Sequence, residues 1–197
     1  MNFESEDYKI YLQDQTSETL GAGIDYKYFT HLVEDILPDF DYSNTKILDV
    51  GTGSFNSYLF FKEKYNNIIT GIEIATISLE KSAKDGTGVL NIDAHRMCEY
   101  FKNETFDLVY SSHSLEHMFD LPLVIKNCYK VLKSGGYFYF SLPIPCYNWK
   151  KGHWYDVPDI STMTRYCINE GFVMVHSEYS TNGKYRAENE MIALARK

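Results

Sequence analysis

Lys46-Ile47-Leu48-Asp49-Val50-Gly51-Thr52-Gly53-Ser54-Phe55-Asn56 reads as a buried strand running into a glycine loop. Ile47, Leu48 and Val50 form a short apolar run, which suits a central parallel strand covered on both faces. Periodicity alone would also allow a segment of buried helix. Gly51 and Gly53 supply backbone without Cβ atoms, able to take positive φ and to let a ligand approach closely. Ser54 to Ser57 is a polar stretch able to cap a helix over Tyr58 to Tyr65, whose free N–H groups would face that ligand.

Working outward, Asn67 to Ile74 reads as a second strand, with Glu73 at its carboxyl end, 24 residues after Asp49. A strand-helix-strand unit of that size brings an acid to the ribose hydroxyls of a nucleotide-like cofactor, and one carboxylate can accept two hydroxyl hydrogen bonds. Thr76 to Lys84 reads as a helix and Gly88 to Ile92 as a third strand, ending at Asp93-Ala94, where an acid can accept from the exocyclic amine of an adenine. Phe106 to Ser112 is a fourth strand leading into His113-Ser114-Leu115-Glu116-His117. Asp120 opens a helix with Pro122 in its first turn and an apolar stripe through Val124, Ile125, Cys128 and Val131, closed by Lys133 and Gly135-Gly136. Tyr137 to Leu142 is strand five, Ser161 to Glu170 a helix, and Phe172 to His176 and Met191 to Ala195 the last two strands. Strands alternating with helices at this spacing predict a parallel α/β sheet.

Residues 1–45 hold no strong strand and read as an N-terminal helical arm or cap on a domain of residues 46–197. Within the arm, Tyr26 to Ile36 has approximate helical spacing and is ended by Pro38, while Asp7 through Gly23 reads either as a flap over the cofactor or as a frayed terminus or packing arm.

The chain of 197 residues fits one domain, and 44% hydrophobic with 16% aromatic residues predicts a well-filled core. A net charge of −8 argues against a nucleic-acid backbone as the main partner, since that affinity rests on Lys and Arg. Cys98, Cys128, Cys146 and Cys167 form no C-x-x-C pair and read as free thiols in a reducing compartment. Met1 to Tyr11 lacks the basic and apolar regions of a signal peptide, and no apolar run reaches the ~20 residues that span a bilayer, so a cytoplasmic protein without membrane partners is expected.

Four features in order, Asp49-x-Gly51-x-Gly53, Glu73, Asp93-Ala94, and Phe106-Asp107-Leu108-Val109 running into Leu115-Glu116-His117, resemble the class I S-adenosylmethionine-dependent methyltransferases. The resemblance is nearest to the small single-domain type 11 group and covers roughly residues 44–142; Lys133-Ser134-Gly135-Gly136 is similar to the family's Lys-Pro-Gly-Gly turn. It implies a Rossmann-like, doubly wound, mostly parallel seven-stranded sheet with helices on both faces. It also implies S-adenosyl-L-methionine as cofactor. Asp49, Gly51, Thr52 and Gly53 would surround its methionine end, Glu73 with Ile74 the ribose, Asp93 with Ala94 the adenine, and Ser111 and Ser112 the reacting sulfonium. Phe55 stands where the family often has a third glycine, and its side chain is expected to turn into the helix–sheet contact.

A nicotinamide dinucleotide fits less well. The G-x-G-x-x-G/A pattern fails at Asn56, and Asp49 would face a pyrophosphate rather than a cationic sulfonium and amine. His113 to His117 also spells H-x-x-E-H, an inverted zinc-protease pattern, but it hangs off a strand rather than lying in a long helix, and no metal is expected. Oxygen and nitrogen acceptors usually need a base, for which His113, His117 and His153 are the candidates. Without a large substrate domain, the arm and the aromatic segment Tyr147 to Tyr155 would select the acceptor, a small molecule or glycosyl group. A catalytically silent subunit of the same fold and an RNA or protein methyltransferase are the other functions weighed; oligomeric state is left open.

Overall fold

The structure, a computed structural model, describes residues 1–17, 34–53, 55–65, 68–143, 154, 157, 159–180 and 190–197, with the side chains of Asn56 and Ser180 excepted. Its seven strands are β1 (Lys46–Val50), β2 (Ile68–Glu73), β3 (Leu90–Asn91), β4 (Phe106–Ser112), β5 (Leu132–Pro143), β6 (Val173–Ser180) and β7 (Glu190–Arg196). They form one sheet in the order β3-β2-β1-β4-β5-β7-β6. The first five pair in parallel, and β7 runs antiparallel between β5 and β6. The helices are α1 (Glu6–Ser17), α2 (Asn56–Tyr65), α3 (Thr76–Asp85), α4 (Leu121–Val131) and α5 (Ile160–Asn169). This is the doubly wound, mostly parallel sheet expected, with an antiparallel hairpin at one edge.

β1 reads as continuous apolar sequence because both its faces are covered. Ile47 packs with Leu108, Tyr110, Tyr139, Ile192 and Phe61 of α2, while Leu48 and Val50 pack on the opposite side with Val109, Phe138 and the α4 stripe of Val124, Ile125 and Cys128. Ile47, Leu48 and Val50 are all fully buried, each contributing about 1.5–3 kcal/mol of apolar burial. At the opposite end of the sheet from the glycine loop, the Asp107 carboxylate accepts the Lys46 amide at 2.9 Å and the Lys133 ammonium at 2.8 Å, fastening β1 and β5 to β4.

Several boundaries differ from the sequence reading. The helix expected to close at Gly135-Gly136 ends at Val131, and β5 starts at once with Leu132. Gly136 lies so close to β4 that a Cβ there would sit 2.9 Å from the Asp107 carbonyl oxygen, so this glycine serves strand approach rather than helix termination. β3 is only two residues long, and β6 extends to Ser180. The stretch around Asp7, read only as flap or arm, begins the helix α1. Of the helix expected over Tyr26 to Ile36, residues 26–33 lie outside the described residues, and 34–36 are helical. No helix among the described residues is long and apolar enough to cross a membrane.

The Asp120 carboxylate accepts the Leu123 amide at 3.1 Å, capping α4 beside the site, and the Asp120 amide donates to His95 Nε2 at 3.0 Å. Asp120→Ala is expected to cost about 1 kcal/mol in urea unfolding and Asp120→Asn much less, because an Asn side chain caps nearly as well.

Candidate cofactor and acceptor site

The carboxyl ends of β1, β2, β3 and β4 converge on the glycine loop. Gly51 (φ 74°) and Gly53 (φ 51°) are both left-handed. A Cβ on Gly51 would sit 1.9 Å from Ser114 Oγ, so the loops after β1 and β4 can share this space only with glycine here. The Gly51 amide donates to the Ile72 carbonyl at 3.0 Å. Glu73 then closes the cradle: its Oε2 accepts the Gly53 amide at 2.8 Å, and its Oε1 accepts Ile74 and Ala75 amides at 2.7 and 3.0 Å.

Phe55 takes φ 67°, a conformation suited to the glycine that the family often has there. Its ring is fully buried with the Lys81 ammonium of α3 5.6 Å from its centroid, so its burial offsets a backbone cost of about 1–2 kcal/mol.

Asp49 lies 1% exposed beneath the loop, where its Oδ2 accepts from the Ser57 hydroxyl at 2.7 Å. Ser57 therefore serves the carboxylate as well as the start of α2. Burial pushes the Asp49 carboxyl up to about 7; the Ser57 hydrogen bond opposes this, and the neighbouring Glu73 charge adds to it. The site thus holds an acid that a bound cation would readily ionise.

Asp93 caps the 3₁₀ turn Ala94–Glu99 by accepting the His95 amide at 2.9 Å, and its Oδ1 is 2.6 Å from His95 Nδ1. Its other oxygen accepts from the Tyr8 hydroxyl of α1. Burial alone would raise this carboxyl, but the hydrogen bond and electrostatic pull of His95, with the Tyr8 bond, carry it below its ordinary value. Tyr8 and Tyr11 are buried, and Tyr11 meets His95, Phe119 and Trp154 ring to ring at 5.3–5.7 Å. The arm therefore packs over the end of β3, leaving a cleft of ≈ 220 Å³ lined by Tyr8, Leu12, Ile74, Asn91, Asp93 and Arg96 among others. Ala94, next to Asp93, is buried.

At the end of β4 the two serines are engaged inside the sheet. Ser111 Oγ donates to the Val50 carbonyl at 3.2 Å, and Ser112 Oγ is 2.9 Å from Ser141 Oγ. His113 follows at φ 51°, with Nε2 2.9 Å from Glu190 Oε1 at the start of β7. His117 lies in the 3₁₀ turn Leu115–His117, its Nε2 4.0 Å from Glu116 Oε1. The H-x-x-E-H letters do not form a helical pair of ligands, because His113 precedes the turn in a left-handed conformation. Among the described residues no group of three or more His, Cys, Asp or Glu is arranged to hold a metal. His153, the third candidate base, lies outside the described residues, as do Tyr147, Trp149 and Tyr155.

The sequence reading did not single out Tyr8, His95, Ser57 or Glu190. Glu190 left one trace, an acid directly ahead of an apolar strand; Tyr8 left none, since its partner Asp93 is 85 residues away. For a sulfonium nucleoside with an amino-acid tail the donor set is suitable: buried acids for its cationic end and a glycine cradle for close approach. The Thr52 hydroxyl is buried in that cradle with no hydrogen-bond partner among the described residues, as expected where a polar ligand would supply one.

Because Asp49 binds its proton more tightly folded than unfolded, it favours the folded state only while protonated. That contribution is full below about pH 3.8 and is lost as pH rises through about 7. The loss is on the order of 4 kcal/mol. Urea unfolding at pH 5 and pH 8 should therefore show a steeper decline for the ligand-free wild type than for Asp49→Asn; parallel declines would show that Asp49 ionises freely.

Residues 48–140 match a family model described as "Methyltransferase domain". Phosphoethanolamine N-methyltransferase 1 of Triticum aestivum is 26% identical over 151 residues, covering 70% of this chain and 30% of its own length, so the chain spans under a third of that relative. Among solved structures, a SAM-dependent methyltransferase from Archaeoglobus fulgidus superposes with TM-score 0.70 at 16% identity, over 98% of this chain and 100% of that one. Phosphoethanolamine N-methyltransferase 2 of Haemonchus contortus, solved with phosphomonomethylethanolamine and S-adenosylhomocysteine, superposes with TM-score 0.65 at 16% identity over 85% of this chain and 52% of its own. These two superpositions are likenesses of fold. Residues 48–140 are thus similar to a methyltransferase domain, and the chain has the fold of the S-adenosylmethionine-dependent methyltransferases, with the sheet order and the glycine cradle in agreement.

Proposed function

We propose that the protein transfers a methyl group from S-adenosyl-L-methionine to the amine nitrogen of a small molecule. The observation that carries this reading is the cradle itself: a left-handed glycine loop, closed by Glu73 on three backbone amides, above the buried acid Asp49 and around the buried Thr52 hydroxyl. Asp49, Gly51, Thr52 and Gly53 would hold the amino-acid end, Glu73 and Ile74 the ribose, and Asp93 and Ala94 the adenine. Ser111 and Ser112 would act through the sheet, steadying the end of β4 rather than offering free hydroxyls. When bound, the cofactor supplies an activated methyl group on a good leaving group. What remains for the chain is to align the acceptor, exclude water and take a proton.

Proton uptake falls to the histidines after β4. His113 and His117 stand two residues either side of Leu115, in the loop whose Ser114 presses on Gly51. His153 is the third candidate. The nitrogen acceptor is favoured over a glycosyl hydroxyl by two things: relatives named as N-methyltransferases, and the acids Glu116 and Glu190 at the end of β4, which suit a cationic amine.

The purified protein should bind S-adenosylmethionine in calorimetry and add one methyl to phosphoethanolamine or another small amine, read by mass spectrometry. Glu73→Ala should weaken cofactor binding at least about tenfold, since it frees three backbone amides and loses the ribose contact. Equal binding by wild type and Glu73→Ala, or cofactor binding with no methylated amine in a metabolite screen, would overturn the respective half of the proposal.

A further inference from the structure

The central acid of the H-x-x-E-H stretch is placed unusually. Glu116 is 5% exposed, and its Oε2 is buried with no hydrogen-bond partner among the described residues. Its other oxygen, Oε1, faces two imidazoles without bonding to either: His113 Nδ1 is 3.8 Å away and His117 Nε2 4.0 Å. Both separations exceed hydrogen-bond length. A buried carboxylate left this way costs several kcal/mol unless a donor completes it.

The surroundings explain why the protein does not supply that donor. His113 is turned towards Glu190, whose carboxylate accepts from Nε2 at 2.9 Å. The His113 Nδ1, 3.8 Å from Glu116 Oε1, lies beyond hydrogen-bond reach. The Glu116 carbonyl accepts the Trp154 amide at 3.1 Å, a backbone contact that does not involve the carboxylate. Two residues earlier, Ser114 touches the Gly51 position, which fixes the turn against the loop proposed to hold the methionine end.

We infer that Glu116 is the anchor for the acceptor's amine, taking its N–H groups between the two imidazoles. This rests on the reading of methyl transfer to an amine and deepens it by assigning the residue that holds the amine's N–H groups, which restricts the acceptor to a primary or secondary amine. A carboxylate discriminates an amine from an alcohol because a cationic amine brings two or three N–H donors and a charge where a hydroxyl brings one neutral donor.

The test is calorimetry of phosphoethanolamine, ethanolamine and 2-hydroxyethyl phosphate, the alcohol analogue of the first, into wild type, Glu116→Gln and Glu116→Asp saturated with S-adenosylhomocysteine. Wild type should bind phosphoethanolamine or ethanolamine and prefer the former over its alcohol analogue. Glu116→Gln should weaken the amines by roughly 10- to 100-fold and flatten the amine–alcohol preference, with S-adenosylhomocysteine affinity within about twofold of wild type. Glu116→Asp, which keeps the charge, should fall between them and serves if the amide variant fails to fold. Equal amine affinity in wild type and both variants would overturn the role of Glu116 while leaving amine methylation intact. An absence of amine binding to a wild type that binds S-adenosylhomocysteine would overturn the amine acceptor itself.

Discussion

Two loops that leave neighbouring parallel strands at the same edge of a sheet compete for one volume, and here the competition is settled by the missing Cβ of Gly51. Ser114 occupies the place that any other residue's side chain would need. From this contact follow the left-handed turn of the loop, the reach of the Gly53 amide to Glu73, and the position of the short turn carrying Glu116 and His117. The glycine loop and the turn after β4 are thus parts of one packing solution.

The electrostatics point the same way. Asp49, Glu116 and Glu190 are acids that are nearly solvent-free, and Glu73 spends its carboxylate on backbone amides. Buried acids are costly unless they are paired, protonated or completed by a ligand. Asp49 shows the second route and Glu190 the first, through His113. The Glu116 Oε2 oxygen is buried with no hydrogen-bond partner among the described residues.

What the sequence made legible was local. The strand of Ile47, Leu48 and Val50 declared itself because burial on both faces demands a continuous apolar run, and Phe106 to Ser112 did so for the same reason. The order of Asp49, Glu73 and Asp93 could be read because parallel strands bring successive carboxyl ends to one edge. What could not be read were pairings between distant residues: Tyr8 with Asp93, and His113 with Glu190. Neither residue type nor spacing encodes them. The two glycines before Tyr137 were misread as a helix stop because Lys-Ser-Gly-Gly has the chemistry of one, whereas close approach to Asp107 is what Gly136 answers. Phe55 was legible as an exception, and the structure gives its reason in a backbone angle held by a buried ring.

The placement of β7 has a consequence for how the molecule is made. This strand comes after β5 and β6 in the chain, yet it lies between them, pairing Tyr137–Pro143 on one side and Val173–Ser180 on the other. While the ribosome is still adding residues beyond β6, β1 to β5 can already assemble by parallel pairing with their helices. β6 has no neighbour until Glu190–Arg196 emerges. Until then β5 presents a bare edge, including Phe138 and Phe140 that later lie fully buried. A nascent chain paused in this interval would expose an unpaired strand and aromatic surface together, the combination that engages chaperones or pairs with another copy.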